Sequence, residues 1–331
     1  MKSLFTTFTF VTAALAASRT SAPSRDCLVV KKVPGSGQFG TIQQAVDALS
    51  VNATGSQCIF IDQGVYPEQV LVPKREAQLS IYGYTKDTKS YASNGVTITA
   101  GKSQKDGLNN DQTGTLRIKA KDFKLYNVNV ANTFGQGSQA VALSAYSDSG
   151  FYGCQFTGFQ DTLLSQKGNQ LYSKSLIEGA TDFIFGQYAN AWFEQCDIRV
   201  VTAKIGYITA HGRPNATVQS EYVLNDCNIA AASNSSVPDG TYYLGRPWGK
   251  FAQVVFQKSN MSSVINSAGW TIWNKGDNRT DNVLFGEYKN IGMGSLGSRA
   301  GFSKQLDSAV AVKDVLGNNY KKAGYYDGSY M

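Results

Sequence analysis

The sequence of 331 residues is poor in the residues that most often carry hydrolytic or metal chemistry. It has one histidine, His211, seven prolines, five cysteines and no Cys-x-x-Cys pair. A single histidine and no paired thiolates argue against a zinc centre. No Gly-x-Ser-x-Gly elbow is present, so the nucleophile of the α/β-hydrolases has no seat. The formal net charge is +7, yet lysine and arginine are dispersed, and no basic run alternates with aromatics. That excludes a nucleic-acid strand platform and leaves either solubility or attraction to an acidic polymer. No linker of low complexity divides the chain, and helical periodicity is scarce.

Long apolar runs are absent after the first few residues. Lys2, the apolar stretch LFTTFTFVTAALA and Ala14-Leu15-Ala16 together read as a secretory signal peptide over 1–16, too short to anchor in a membrane. Residues 17–331 then form a single domain with its core at about 28–325. Five sequons, at Asn52, Asn215, Asn234, Asn260 and Asn278, fit an exported, N-glycosylated protein. The odd cysteine count leaves at least one thiol free within the chain, and Cys27 with Cys58 is the candidate disulfide.

What the chain has in abundance is short strands. LYNVNV (125–130), FYGCQF (151–156), LYSKSL (171–176), FEQCDI (193–198), LNDCNI (224–229) and FQKSNM (256–261) share apolar first and sixth residues. Their recurrence predicts an all-β solenoid, a single-stranded parallel β-helix, with a β-sandwich as the alternative. Cys154, Cys196 and Cys227 fall at matching positions and read as an inward ladder, which Lys174 interrupts. GTIQQAVDALS carries Ile42, Ala45, Val46 and Leu49 at helical spacing. Thr41 and Gln44 form a capping box, so a helix over about 41–50 covers the N-terminal end.

GFQDTL (158–163) and TDFIFG (181–186) each place an aspartate among apolar and small residues, 21 positions apart. In a parallel solenoid that gap is about one coil, which sets Asp161 and Asp182 on neighbouring strands about 4.8 Å apart. Two carboxylates so close do not both ionise cheaply, and one keeps a proton while the other is charged. Taken singly, each aspartate is better explained as a turn residue, a preference that the matched spacing narrows. Gln160 adjoins Asp161, and Gln139 lies about one coil earlier; two amides offer uncharged donors to an oxyanion. Arg246, in YLGRPWG, can fork onto a carboxylate, and Trp248, Phe185 and Tyr207 offer faces to a sugar. In GWTIW, Trp270 and Trp273 are equally suited to a core or a binding face.

GVYPE (64–68), QAVAL (139–143), GFQDTL, DFIFG (182–186) and LGRPW (244–248) stand in the order found in pectin methylesterases, which this chain resembles over roughly 30–325. GWTIW and FGEYKNIGMG (285–294) resemble that family's C-terminal signatures. The resemblance implies a right-handed parallel β-helix that removes C6 methyl esters from homogalacturonan, without cofactor or metal and as a monomer. It implies Asp182 as nucleophile and Asp161 as acid and base. It also implies Gln139 and Gln160 as oxyanion donors and Arg246 as the partner of Asp182. Phe185 and Trp248 are then the sugar contacts, with Tyr207 and Trp270 as further candidates from the residues themselves. Leu164 stands where an aromatic is common among plant members, and His211 where glutamine is more usual. His211 is thereby left a structural or subsite role, outside any Ser-His-Asp triad. A pectin-cleaving hydrolase, a lyase and a non-catalytic polysaccharide binder are the rivals; the Asn-Thr-Asp, Asp-Asp and Gly-His-Gly motifs of polygalacturonases are missing.

Overall fold

The computed structural model describes residues 17–331, so the signal-peptide reading of 1–16 falls outside the described residues. The chain winds through three sheets in turn, and every strand pairing within them is parallel. The longest sheet has 11 strands, from Leu28–Val30 to Ser303–Gln305; a second has eight and a third seven. This is a parallel β-helix, and a β-sandwich is excluded. Burial explains the repeat. The first residue of each unit points inward, so Phe151, Tyr172 and Phe193 stack on one another at 4.8 and 4.6 Å between ring centres.

The register corrects one unit. Phe151 pairs with Tyr172 and Tyr172 with Phe193, so the third repeat begins at Tyr172 and not at Leu171. The inward turn position then holds Val128, Cys154, Ser175, Cys196, Cys227 and Ser259. Lys174 no longer interrupts that ladder. It belongs to a parallel row of left-handed residues with Asn127, Gly153, Gln195, Asp226 and Lys258. The three cysteines are buried and free, as small inward groups should be. Cys27 and Cys58 are disulfide-bonded.

The N-terminal helix spans Ile42–Ala48 with the capping box of Thr41 and Gln44 in place. Glu68 of GVYPE completes it. Its carboxylate accepts from the backbone N–H of Ile42 (2.8 Å) and Gln43 (3.0 Å), where a helix start favours negative charge. Buried Ile42, Ala45 and Val46 face the strands at Leu28–Val30, Ser56–Ile61 and Val70–Val72, closing that end of the solenoid. Leu49 already lies in extended backbone.

Candidate active site

The seven-stranded sheet, from Val70–Val72 to Tyr242–Gly245, positions the site on its outer face. Leu163 and Leu164 pair with Ile184 and Phe185, and Gln160 bridges Thr181, so Asp161 and Asp182 occupy the same rung of adjacent coils. Both have left-handed backbones, φ 63° and 51°. Aspartate is one of the few side chains that tolerates this region, and strained residues of this kind gather at functional sites. Against the next coil the register slips by one residue between Thr181 and Ile184, a bulge that re-aims Asp182.

Each aspartate is 7 % exposed, yet the two are held differently. Asp182 accepts both arms of Arg246, Nε on Oδ1 at 2.9 Å and Nη2 on Oδ2 at 2.7 Å. The Asp161 carboxyl has no hydrogen bond from any described residue. Burial, and then the charge of Asp182, pushes Asp161 well above the usual carboxylate range, with Arg246 opposing. Burial raises Asp182 too, and it stays above the ordinary carboxylate range although the fork and charge of Arg246 oppose the rise. One rung therefore carries a carboxyl that keeps its proton and a carboxylate that stays ionised.

A cavity of about 150 Å³ opens over the pair, lined by Asn110, Gln139, Gln160, Asp161, Asp182, Phe185, Ala210, Trp248 and Trp273. Neither glutamine amide is spent on a hydrogen bond to a described residue. The backbone N–H of Gln104 holds the Gln139 carbonyl at 3.0 Å. Phe185 and Trp248 form the apolar wall, 6.1 Å apart, with Leu164 and Ala210 beside them.

Two expected sugar contacts are placed elsewhere. Trp270 is 1 % exposed, stacked on Phe285 at 4.3 Å and donating Nε1–H to Glu287; it is core. Its neighbour Trp273, which the sequence left open between core and binding face, lines the cavity. The signal was present: three residues along an extended chain reverse the face, so the two tryptophans cannot share one role. Tyr207 does not line the cavity. Its ring lies 3.9 Å from the Arg246 guanidinium carbon, and that of Trp273 lies 4.4 Å from it, so both help fix the arginine. His211 is fully buried. Its Nδ1 accepts from the Gln253 N–H at 2.8 Å, which leaves Nε2–H to donate to Ser220 at 2.8 Å. Burial, then Arg213, lowers it to about 3, so it is a neutral structural group. Asn110 carried no local signal; only folding brings it here.

The family profile for Pectinesterase matches residues 27–313. The chain belongs to the pectinesterase family. A pectinesterase of Aspergillus aculeatus is 50 % identical, with 100 % of both chains covered, and one of Aspergillus niger is 47 % identical, with 100 % of this chain and 99 % of the relative covered. In structure, the pectin methylesterase of Aspergillus niger superposes with a TM-score of 0.86 at 42 % identity, covering 95 % of this chain and 100 % of the other. The pectin methylesterase from carrot gives 0.80 at 28 % identity, covering 94 % and 99 %. As a pectinesterase, the chain removes methyl esters from homogalacturonan.

Proposed function

We propose that this hydrolysis runs through the asymmetric aspartate pair. Asp182 attacks the ester carbonyl of a galacturonate unit, and the amides of Gln139 and Gln160 receive the oxyanion. Protonated Asp161 gives its proton to the departing methoxide, so methanol leaves and an acyl-enzyme anhydride remains. Asp161, now a carboxylate, takes a proton from water. The hydroxide equivalent adds to the acyl carbon, and Asp182 leaves as carboxylate. Arg246 keeps Asp182 charged between turnovers. Phe185, Trp248 and Trp273 receive the sugar rings. No step passes through a metal or cofactor.

The observation that carries this reading is the unequal holding of two neighbouring carboxyls, one forked by arginine and one without a hydrogen bond. A glycosidase pair would suit the same spacing, but flanking amides and an arginine on one partner suit an acyl oxyanion. Export after removal of 1–16, a single catalytic domain over 17–331 and a monomeric state belong to the same proposal. All five sequon asparagines are exposed and open to glycans.

Highly methyl-esterified pectin incubated with the enzyme should release methanol with neither reducing ends nor unsaturated ends. Asp182→Asn should lower kcat by about 10⁴-fold or more. Full activity in that variant would remove Asp182 as nucleophile.

A further inference from the structure

The chain after Trp273 turns back on itself beside the catalytic cavity. Asn274 and Asp277 exchange backbone hydrogen bonds at 3.1 and 3.0 Å, with Gly276 left-handed between them at φ 86°. The Trp273 N–H then reaches the Asn278 carbonyl at 3.2 Å, so the next residue, Arg279, is returned to the side of Trp273. Arg279 has φ 57°, a conformation that costs a side chain of its size strain.

One guanidinium makes three contacts here. Its Nε and Nη2 hold Asp277 Oδ2 at 2.8 and 2.7 Å. Its Nη1 donates to the Trp248 carbonyl. Its carbon stands 4.9 Å from the ring centre of Trp273. An arginine paired with an aspartate two residues away contributes little by itself. The other two contacts give it a different meaning, because Trp248 and Trp273 are the tryptophans that line the cavity.

These two tryptophans come from separate segments, and neither belongs to a strand of the three sheets. No ladder of hydrogen bonds sets their spacing. Arg246 steadies Trp273, with its guanidinium carbon 4.4 Å from the ring and Nη1 on the carbonyl at 3.2 Å. Among the described residues, Arg279 is the one whose side chain bonds to Trp248 and also stands over Trp273.

We propose that Arg279 is a positioning residue for the substrate: it fixes Trp273 relative to Trp248 and so sets the wall on which the sugar rings rest. The proposal rests on reading those two tryptophans as sugar contacts. A wall already in place loses no side-chain freedom when the polymer docks. Without Arg279 the wall has to order at each encounter. Binding then weakens, while the fork of Arg246 on Asp182 and the chemistry behind it stay as they are.

The test measures kcat and KM on highly methyl-esterified pectin for wild type, Arg279→Ala, Arg279→Lys and Trp273→Ala. All three variants keep the sequon at Asn278. Arg279→Ala should raise KM about fivefold and leave kcat within about twofold of wild type. Its tryptophan emission should move to the red. Trp192 and Trp270 are 2 % and 1 % exposed, so that shift reads the two wall tryptophans. Arg279→Lys keeps the charge without the planar fork, so its KM should fall between wild type and the alanine variant. Trp273→Ala separates the two levels of the argument. If it leaves KM unchanged, the sugar wall is misassigned and the proposal falls with it. If it raises KM while a folded Arg279→Ala keeps the wild-type value, the wall stands and the role of Arg279 is overturned. Wild-type KM in Arg279→Lys overturns that role whether or not the alanine variant folds.

Discussion

Two outer faces of one solenoid have been finished in opposite ways. On the 11-stranded sheet, Tyr126, Tyr152, Leu171, Trp192, Val223 and Val255 form an apolar stripe, and the C-terminal segment lies on it with Val315, Leu316, Tyr325 and Tyr330. Tyr82, Tyr126 and Tyr152 stack at 4.9 and 5.0 Å, a column of aromatics in which Tyr126 and Tyr152 are buried. On the seven-stranded sheet the apolar stripe shrinks to Val141, Leu164, Phe185 and Ala210. Carboxyls, amides and cations surround it. The winding is the same, and only the outward residues differ. A face that is apolar throughout recruits its own chain; a face of apolar and charged groups together stays open to a polymer.

The largest expected effect separates activity from stability on the open face. Asp161→Asn should lower kcat by about 10³-fold, because the leaving methanol loses its proton donor. The same change should raise the melting temperature at neutral pH. The raised pKa of Asp161 means that its proton binds more tightly in the folded state. Its contribution to stability is full below the ordinary aspartate range and is lost as pH rises through the folded value. The advantage of the asparagine variant should therefore be widest at neutral pH and close in acid, which melts across a pH series would read.

Two tryptophans, one in the core and one on the cavity wall, sharpen the contrast further. Trp270→Ala empties a core position and should destabilise by about 3–5 kcal/mol in denaturant titration, with KM of the folded enzyme little changed. Trp248→Ala removes a cavity wall and should raise KM about tenfold while stability changes less. Equal KM effects would mean that core and cavity are not separate. The smallest effect is a shift along the pH axis. Arg246→Gln removes the cation that opposes the rise of Asp182, so the acid limb of the kcat profile should move to higher pH.

Much of this was legible because a solenoid repeats itself. Apolar first and sixth residues mark the strands, and the capping box at Thr41 marks the helix. The 21-residue gap places Asp161 over Asp182 without any knowledge of loops. The misplaced register at Leu171 has a physical origin too. Leu171 and Tyr172 are both apolar and both buried, one on the outer stripe and one inside, so hydrophobicity alone does not choose the inward one. Trp270 misled for the same reason: an aromatic beside a signature motif says nothing of the face it takes. Lys74, Lys121 and Lys167 are far apart in sequence and line one opening only through the winding. The bulge at Asp182 is a property of pairing between coils, so no local pattern announces it.

The fork between Arg246 and Asp182 reaches across two rungs, since the strand at Thr181–Gly186 pairs with Gly206–His211 and that one with Tyr242–Gly245. Solenoids lengthen over evolution by duplicating coils, and most of this one would accept an extra turn at either end. Between Gln139 and Arg246 it would not. A coil inserted there would part the arginine from its aspartate, or one aspartate from the other, while leaving every sheet intact. The strand ladder thus acts as a ruler for the chemistry, and descendants of this chain are free to grow only outside the measured interval.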